Sequence, residues 1–303
     1  MGGETVDWSR RDVLRWIGAL GVGTLVSPMA WAADRLRPRP AFVPQIRLVQ
    51  LTDLHIGFHH RGFPDPEASL EAALAQIQSL KPDLVVVTGD LIQASRDAAT
   101  RATRMARAWA MLSGLRVSVL AIPGEQDALL DRGRLFAQQI GPLTFHHVVG
   151  GVHLVGLDNV SRGFFLGHDQ LAWLQRTLQD IPATAPVLVL AHAPLARYYP
   201  PWNWYTFDGA AAAELLAPFP RKLLLHGHVH HLLADDVAGL PGLAARPTSF
   251  VYPAHTPSTL TPLAPEAPPL EQPDAGLGIR WLQFAGDFHI EDRPLRAAAG
   301  MHA

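Results

Sequence analysis

Two hydrophobic rhythms alternate along most of this chain. Short, largely apolar runs at residues 46–51, 84–88, 117–122, 153–157, 187–190 and 222–225 have the length of buried strands, and 84–88 is continuously apolar and β-branched. Between them, apolar positions recur every three or four residues, as Leu70, Ala73, Leu74 and Ile77 do within 66–80. That spacing predicts helices over 66–80, 98–113, 170–179 and 209–216. Two further strands are predicted at 249–252 and 279–284, separated by a proline-rich loop over 261–273. The order is that of an α/β protein with more sheet than one simple doubly wound unit needs.

Polar residues interrupt this pattern at particular places. Five of the apolar runs end in potential metal ligands. Residues 46–51 lead into Asp53 and His55, 84–88 into Gly89-Asp90, and 117–122 into Gly124-Glu125-Gln126-Asp127. Residues 187–190 lead into His192, and 222–225 into His226-Gly227-His228-Val229-His230. Ligands in α/β sheets bind at the carboxyl ends of strands, so these groups can converge despite their separation in sequence. Asp-x-His and His-x-His place alternate residues on one face if the backbone there is extended. Four histidines and two or three carboxylates exceed the four ligands of a single structural zinc, and suit two metals sharing a carboxylate and a water.

Composition narrows the chemistry. The 303 residues include no cysteine but 15 His, so a strongly held metal must use imidazole and oxygen. With 48% hydrophobic and 17% charged residues, the chain has ample material for a core. The net charge of −2 offers no basic field for nucleic acid, and no nucleic-acid partner is expected.

Residues 1–32 read as an address: Arg10-Arg11, an apolar run over 16–32, and small residues around Ala30-Trp31-Ala32. They resemble a twin-arginine signal peptide, which implies the twin-arginine translocation machinery as a partner and a periplasmic or secreted location. The run is marginal for spanning a bilayer, so stable insertion is not expected unless the signal stays uncleaved and tethers the protein. Residues 33–45 read as a linker, 46–292 as one domain in which 246–292 complete the second sheet, and 293–303 as a tail.

The series Asp-x-His, Gly-Asp, Gly-x-x-Asp, His and Gly-His-x-His resembles the calcineurin-like metallophosphoesterase superfamily, in an exported bacterial form. The resemblance implies a four-layer αββα sandwich of two mixed sheets, and hydrolysis of a small phosphate mono- or diester by a hydroxide bridging two metals (Mn, Fe or Zn). It further implies Asp53, His55, Asp90 and His230 around the first metal, with Asp90 shared and Glu125, His192 and His228 completing the second. Asp90, Glu125, Gln126 and His192 would lie against the reacting groups. The Gly-His-Val-His block also resembles that of class III cyclic-nucleotide phosphodiesterases, although the expected export argues against an intracellular signalling substrate.

The third block departs from the family's Gly-Asn-His-Asp/Glu. Glu125 replaces a neutral amide by a carboxylate and favours harder ions, such as an Fe/Mn or Mn/Mn pair. Gln126 stands where the family His contacts the phosphoryl oxygen and protonates the leaving group, and an amide cannot supply that proton. The expectation is an attenuated or redirected hydrolase; the alternative is a catalytically silent metal-binding or ligand-binding descendant. Residues 198–207 read either as an aromatic lid beside the centre or as a self-packed loop. His59, His60, His226 and His231 lie near the motifs, and Asp158-Asn159 reads as a turn or as a polar contact to the site.

Overall fold

The computed structural model describes residues 43–254, 264–268, 272 and 275–295. The segment 1–32 expected to be a signal, most of the expected linker and much of the proline-rich loop lie outside them.

Among the described residues, eleven strands form two mixed sheets. In the first, β1 (Gln45–Leu51), β2 (Leu84–Thr88) and β3 (Val119–Ile122) are parallel, and β10 (Gly278–Ala285) and β11 (Phe288–Pro294) extend the β1 edge antiparallel, giving the order β11-β10-β1-β2-β3. The second sheet has the order β4-β5-β6-β7-β9-β8, from β4 (Phe145–Val149), β5 (Val152–Gly156), β6 (Val187–Leu190), β7 (Lys222–His226), β8 (Leu233–Val237) and β9 (Leu240–Ala244). Helices α1 (Pro66–Leu80) and α2 (Ala98–Ser113) precede two short ones, α3 (Glu125–Ala128) and α4 (Arg134–Gln139). Two more follow, α5 (Gly167–Gln179) and α6 (Gly209–Leu216).

The period-two alternation of the strands explains the layering. Ile46 and Leu48 of β1, Leu84 and Val86 of β2, Leu188 and Leu190 of β6, and Leu223 and Leu225 of β7 share one buried cluster between the sheets. Their neighbours Val49, Leu51, Val85 and Val87 turn the other way, against Leu70, Ala73 and Ile77 of α1 and Met105, Ala108 and Leu112 of α2. Val187, Val189 and Leu224 pack likewise against Leu174 and Leu178 of α5 and Ala212 and Leu216 of α6. The result is helices, sheet, sheet, helices. Local chemistry sets the helix ends: Asp65 and Asp97 cap α1 and α2 by accepting from Glu67 N and Thr100 N, Pro66 opens α1, and left-handed Lys81 closes it.

Three expectations are corrected. The C-terminal segment adds its hairpin to the first sheet, beside β1, rather than completing the second, and β11 runs to Pro294, past residue 292. The run 249–252 forms no strand, only an isolated bridge from Val251 to Glu266. Strands β4, β8, β9 and β11 carry no continuous apolar run, because they lie at or near sheet edges. Leu-Ala-Asp-Asp-Val of β8 reads as polar, and Pro241 of β9 falls just before the parallel pairing with β7 begins at Gly242.

Candidate metal centre

Each strand that carries a ligand block ends at the same rim of the two sheets, and the chain then breaks from strand geometry at once. Asp53, His55, Asp90, His228 and His230 have φ of 55°, 47°, 54°, 70° and 56°, all left-handed. Non-glycine residues adopt this region uncommonly, at a cost of order 1–3 kcal/mol each, and it persists only where the surroundings impose it. Here backbone bonds between the loops do so: Asp53 N donates to Gly89 O (3.0 Å), His55 N to Asp90 O (2.9 Å) and Gly227 N to His192 O (2.9 Å). The extended-backbone argument for Asp-x-His and His-x-His is therefore corrected. The pairs sit on turns, and His228 and His230 diverge, each toward a different group of ligands.

Two glycines make the closeness possible. Gly89 has φ 93°, and a Cβ there would run into the His192 imidazole; one on Gly124 would run into the Asp90 carboxylate.

The potential ligand atoms gather into three overlapping groups, each with its atoms within 4.8 Å of one another: Asp53, His55 and His230; Glu125, His192 and His228; and Asp53, Asp90 and His192. All seven side chains named from sequence are thus brought together, and all are buried except the slightly exposed Glu125. His55 Nε2 lies 3.1 Å from His230 Nε2 and 3.3 Å from Asp90 Oδ2, while His230 Nε2 lies 3.5 Å from Asp53 Oδ1. On the other side, Glu125 Oε2 lies 2.8 Å from His192 Nε2 and 3.2 Å from His228 Nδ1. His192 Nε2 is 3.6 Å from Asp90 Oδ2, so Asp90 stands between the two triads.

The far side of three imidazoles is fixed. His55 Nδ1 donates to Gln93 Oε1 (3.0 Å), His192 Nδ1 to Thr88 O (2.7 Å) and His230 Nδ1 to Phe250 O (2.7 Å). Each bond sets the ring's orientation and turns Nε2 inward, as metal-binding histidines require. Burial, then the neighbouring imidazole His230, pushes His55 down to about 3; burial chiefly does the same to His230. Both present lone pairs at neutral pH, facing each other at 3.1 Å. Two nitrogens held about 2.0–2.1 Å from one ion at near-tetrahedral angles would be separated by roughly 3.0–3.4 Å.

Charge is distributed unevenly across the cluster. Burial and the nearby Glu125 hold Asp90 well above the usual carboxylate range. Burial also acts to raise Glu125, but His228 and His192 outweigh it and hold that carboxyl well below its ordinary value. His192 loses by burial yet is raised well above an ordinary imidazole by Asp90 and Glu125. Glu125 Oε2, His192 Nε2 and both nitrogens of His228 are buried without a hydrogen bond of good geometry, although oppositely charged atoms lie within reach. Buried polar atoms are normally satisfied. A nitrogen-and-oxygen donor set with inward lone pairs and orphaned inner atoms fits metal ions.

Gln126 lies beside this cluster. Its backbone N donates to Asp90 Oδ1 (2.9 Å), and its side-chain oxygen accepts from Gln93 Nε2 and Ala94 N, both at 3.2 Å. Three residues support the ligands: Gln93, which the sequence did not mark; Asp127, marked only as part of its block; and Asn159, read as a turn or a polar contact. Asp127 accepts from Leu91 N (3.1 Å), Ile92 N (3.1 Å) and Gly124 N (2.9 Å), tying the Asp90 turn to the Glu125 turn. Gln93 joins His55 to Gln126. Asn159 accepts from His192 N (3.1 Å) and donates to Ala193 O (2.8 Å), so it buttresses the site, whereas Asp158 makes the turn by accepting from Val160 and Ser161.

The four other histidines singled out from sequence stay out of the cluster. His59 and His60 are exposed, His226 pairs with Asp235 at 3.3 Å, and His231 meets the Tyr198 hydroxyl at 3.1 Å. The aromatic loop satisfies both readings: Tyr198, Trp202 and Tyr205 are buried, while half-buried Trp204 packs 5.6 Å from His228 and 5.3 Å from Tyr252, centroid to centroid.

Two mixed sheets flanked by helices, with a buried histidine–carboxylate cluster at the strand ends, define a metal-dependent phosphoesterase. The sequence model of the calcineurin-like phosphoesterase family matches residues 46–232, and the chain belongs to that family. It is 29% identical over 239 residues to the 3',5'-cyclic adenosine monophosphate phosphodiesterase CpdA of Escherichia coli, covering 73% of this chain and 83% of that one. It is 26% identical to a cAMP/cGMP dual specificity phosphodiesterase of Mycobacterium tuberculosis, covering 70% and 69%. In fold it is similar to a dimetal phosphatase from Danio rerio, with TM-score 0.58 and 14% identity over 83% of this chain and 96% of that one. A purple acid phosphatase from yellow lupin gives TM-score 0.60 and 13% identity over 85% and 52%.

Proposed function

We propose that this protein hydrolyses phosphodiesters with good leaving groups, using two metal ions held by Asp53, His55, Asp90 and His230 on one side and by Asp90, Glu125, His192 and His228 on the other. The observation that carries the reading is the pair of buried triads meeting at Asp90, with inner atoms that lack hydrogen-bond partners. When bound, such ions would polarise the phosphoryl oxygens and lower the pKa of a water. Glu125, an anion where the family pattern has a neutral amide, favours harder ions such as Mn or Fe.

The chain's own residues set the rest. Inward Nε2 atoms need no rearrangement to bind, because carbonyls and Gln93 already hold the opposite nitrogens. Gln126 is pinned through its oxygen, so its amide group can only donate a hydrogen bond, never a proton, to a departing alkoxide. Loss of a general acid costs about 10²–10⁴ in rate, and least when the leaving group is already stable as an anion. The diesterase preference is supported by the similarity to the cyclic-nucleotide phosphodiesterases of Escherichia coli and Mycobacterium tuberculosis. Export through the twin-arginine route, read from Arg10-Arg11 and the apolar run after them, belongs to the same proposal and supplies a compartment where a folded, metal-loaded protein arrives complete.

A panel of bis-p-nitrophenyl phosphate, p-nitrophenyl phosphate, an alkyl aryl diester and a cyclic nucleotide, assayed on protein with its native metals, tests this. Turnover should rank with leaving-group acidity, and Gln126→His should speed the poorer leaving groups by about 10²-fold or more while leaving the p-nitrophenyl diester nearly unchanged. Stoichiometric metal with no turnover of any ester would favour the silent descendant instead.

A further inference from the structure

Beside the metal centre the surface changes character. Eight large apolar side chains are exposed among the described residues, and four of them sit on loops that meet beside the centre: Leu129 (45% exposed) and Leu130 (55%) on one, Phe165 (46%) and Phe207 (46%) on two others joined by Phe207 N donating to Phe164 O at 2.9 Å. Phe165 stacks on Phe207 with centroids 5.0 Å apart. Leu129 shares a hollow of about 550 Å³ with Arg132, Ser161, Arg162 and Gly163, which brings the 129–132 and 161–165 loops side by side. Isolated exposed apolar residues are ordinary, but a contiguous group marks an interaction site.

The patch is built onto the centre. Leu129 closes the turn begun by Glu125, its N–H donating to Glu125 O at 3.0 Å, and consecutive left-handed residues Arg132 (φ 58°) and Gly133 (φ 73°) end that segment. Phe164 packs its ring 5.2 Å from His228, and its neighbour Phe165 points outward. The 158–161 turn under this loop is held by Asp158 and tied through Asn159 to His192.

Charge then selects the occupant. Arg132 and Arg162 are exposed and form no ion pair among the described residues, in a chain whose net charge is −2. The acidic neighbours are engaged: Asp131 lies 3.8 Å from Arg101, and Asp208 accepts from Leu166 N and Gly167 N. Asp169, which shares a second hollow with Arg162, lies beside His168. Apolar side chains that protrude among unpaired arginines complement a surface whose interior is apolar and whose headgroups are anionic.

We propose that this face docks on an anionic lipid surface and that the phosphoester reaching the metal centre is presented there, with its apolar portion lying along Leu129, Leu130, Phe165 and Phe207. The docking stands on the patch alone, while the substrate class rests on the phosphoesterase reading above.

The absence of cysteine allows a direct test. Leu130→Cys in the full chain takes a single environment-sensitive fluorophore, and Ser79→Cys, at the exposed end of α1, takes the same one as a control. On vesicles of phosphatidylcholine with phosphatidylglycerol, the label at 130 should shift to the blue and brighten, and the label at 79 should not; phosphatidylcholine alone should give neither change. Adding Arg132→Glu and Arg162→Glu should weaken the response at 130 at least about tenfold. No shift at 130, an equal shift at 79 as from tethering by another segment alone, or a response indifferent to the arginines would overturn the proposal. Each labelled protein is also assayed on soluble bis-p-nitrophenyl phosphate. Docking without turnover would refute the catalytic reading and leave the docking intact, whereas turnover without docking would do the reverse.

Discussion

Asp127→Ala removes a side chain that touches no candidate ligand atom, yet the structure makes it a test of how the centre is held. The carboxylate accepts three backbone N–H groups, two from residues just after Asp90 and one from the residue before Glu125. Leaving buried donors unsatisfied costs about 1–3 kcal/mol each, so three give roughly 3–9 kcal/mol. Against this stands the cost of burying the charge, which pushes Asp127 up to about 6 despite those three donors. A rise of two units corresponds to about 3 kcal/mol that the variant no longer bears above that pH. From the middle of that range the net expectation is a loss of about 3 kcal/mol near neutral pH, or roughly 6–12 °C in Tm for a domain of this size.

The sign with pH follows from linkage. Because the folded pKa is raised, this group's protonation stabilises the metal-free wild-type fold fully below about pH 4, and that contribution is lost as pH rises through 6. The gap between wild type and variant should therefore be larger at pH 4–5 than at pH 8. Both turns also lose their mutual register, so manganese affinity should fall about 10–100-fold, as for other supports of metal ligands. Calorimetry of the metal-free chains and isothermal titration with manganese measure the two effects. A Tm within about 1 °C of wild type together with unchanged affinity would refute the reasoning.

Other perturbations have equally definite outcomes. Gly124→Ala places a methyl group against the Asp90 carboxylate, so manganese affinity should drop at least tenfold, and an unchanged titration would remove Gly124 from the account. Metal binding at neutral pH should release a proton from His192, raised well above an ordinary imidazole in the metal-free chain, but none from His55 or His230, which lie near 3; titration in buffers of different ionisation enthalpy counts them. The depressed pair favours the metal-free fold fully above about pH 6.5, and this contribution drains away as pH falls toward 3. Asn159→Ala should cut turnover by loosening His192 while leaving the His55 side intact, so weakened occupancy confined to one of the two ions is the signature to seek.

The ligand set was readable because its members are polar groups at the ends of apolar strands, where little but function keeps them. That contrast marked the blocks, and the resemblance to the phosphoesterase family then singled out Asp53, His55, Asp90, Glu125, His192, His228 and His230 within them. Their backbone conformation could not, since left-handed φ at five of these residues is imposed by loops from other strands, such as Gly89 and Asp90 bonding to Asp53 and His55. Gln93 was equally opaque, and the particular bonds of Asp127 and Asn159 were too, because a side chain's hydrogen-bond partners are a property of the assembled fold. Strand 279–284 was evident from its apolar residues, but nothing in them says which sheet edge they meet. Helix ends were easier, as Asp65-Pro66 and Asp97 act within a few residues of themselves.

The central claim is that two ions, held by these seven side chains, are needed for phosphodiester hydrolysis. Metal-free protein titrated with manganese, with bound ions counted by mass spectrometry and bis-p-nitrophenyl phosphate turnover followed in the same samples, tests it most directly. The account predicts saturation at two ions per chain, with turnover rising as the second is taken up and His228→Ala saturating at one. Turnover that survives complete removal of metal, or full activity with a single ion bound, would contradict it.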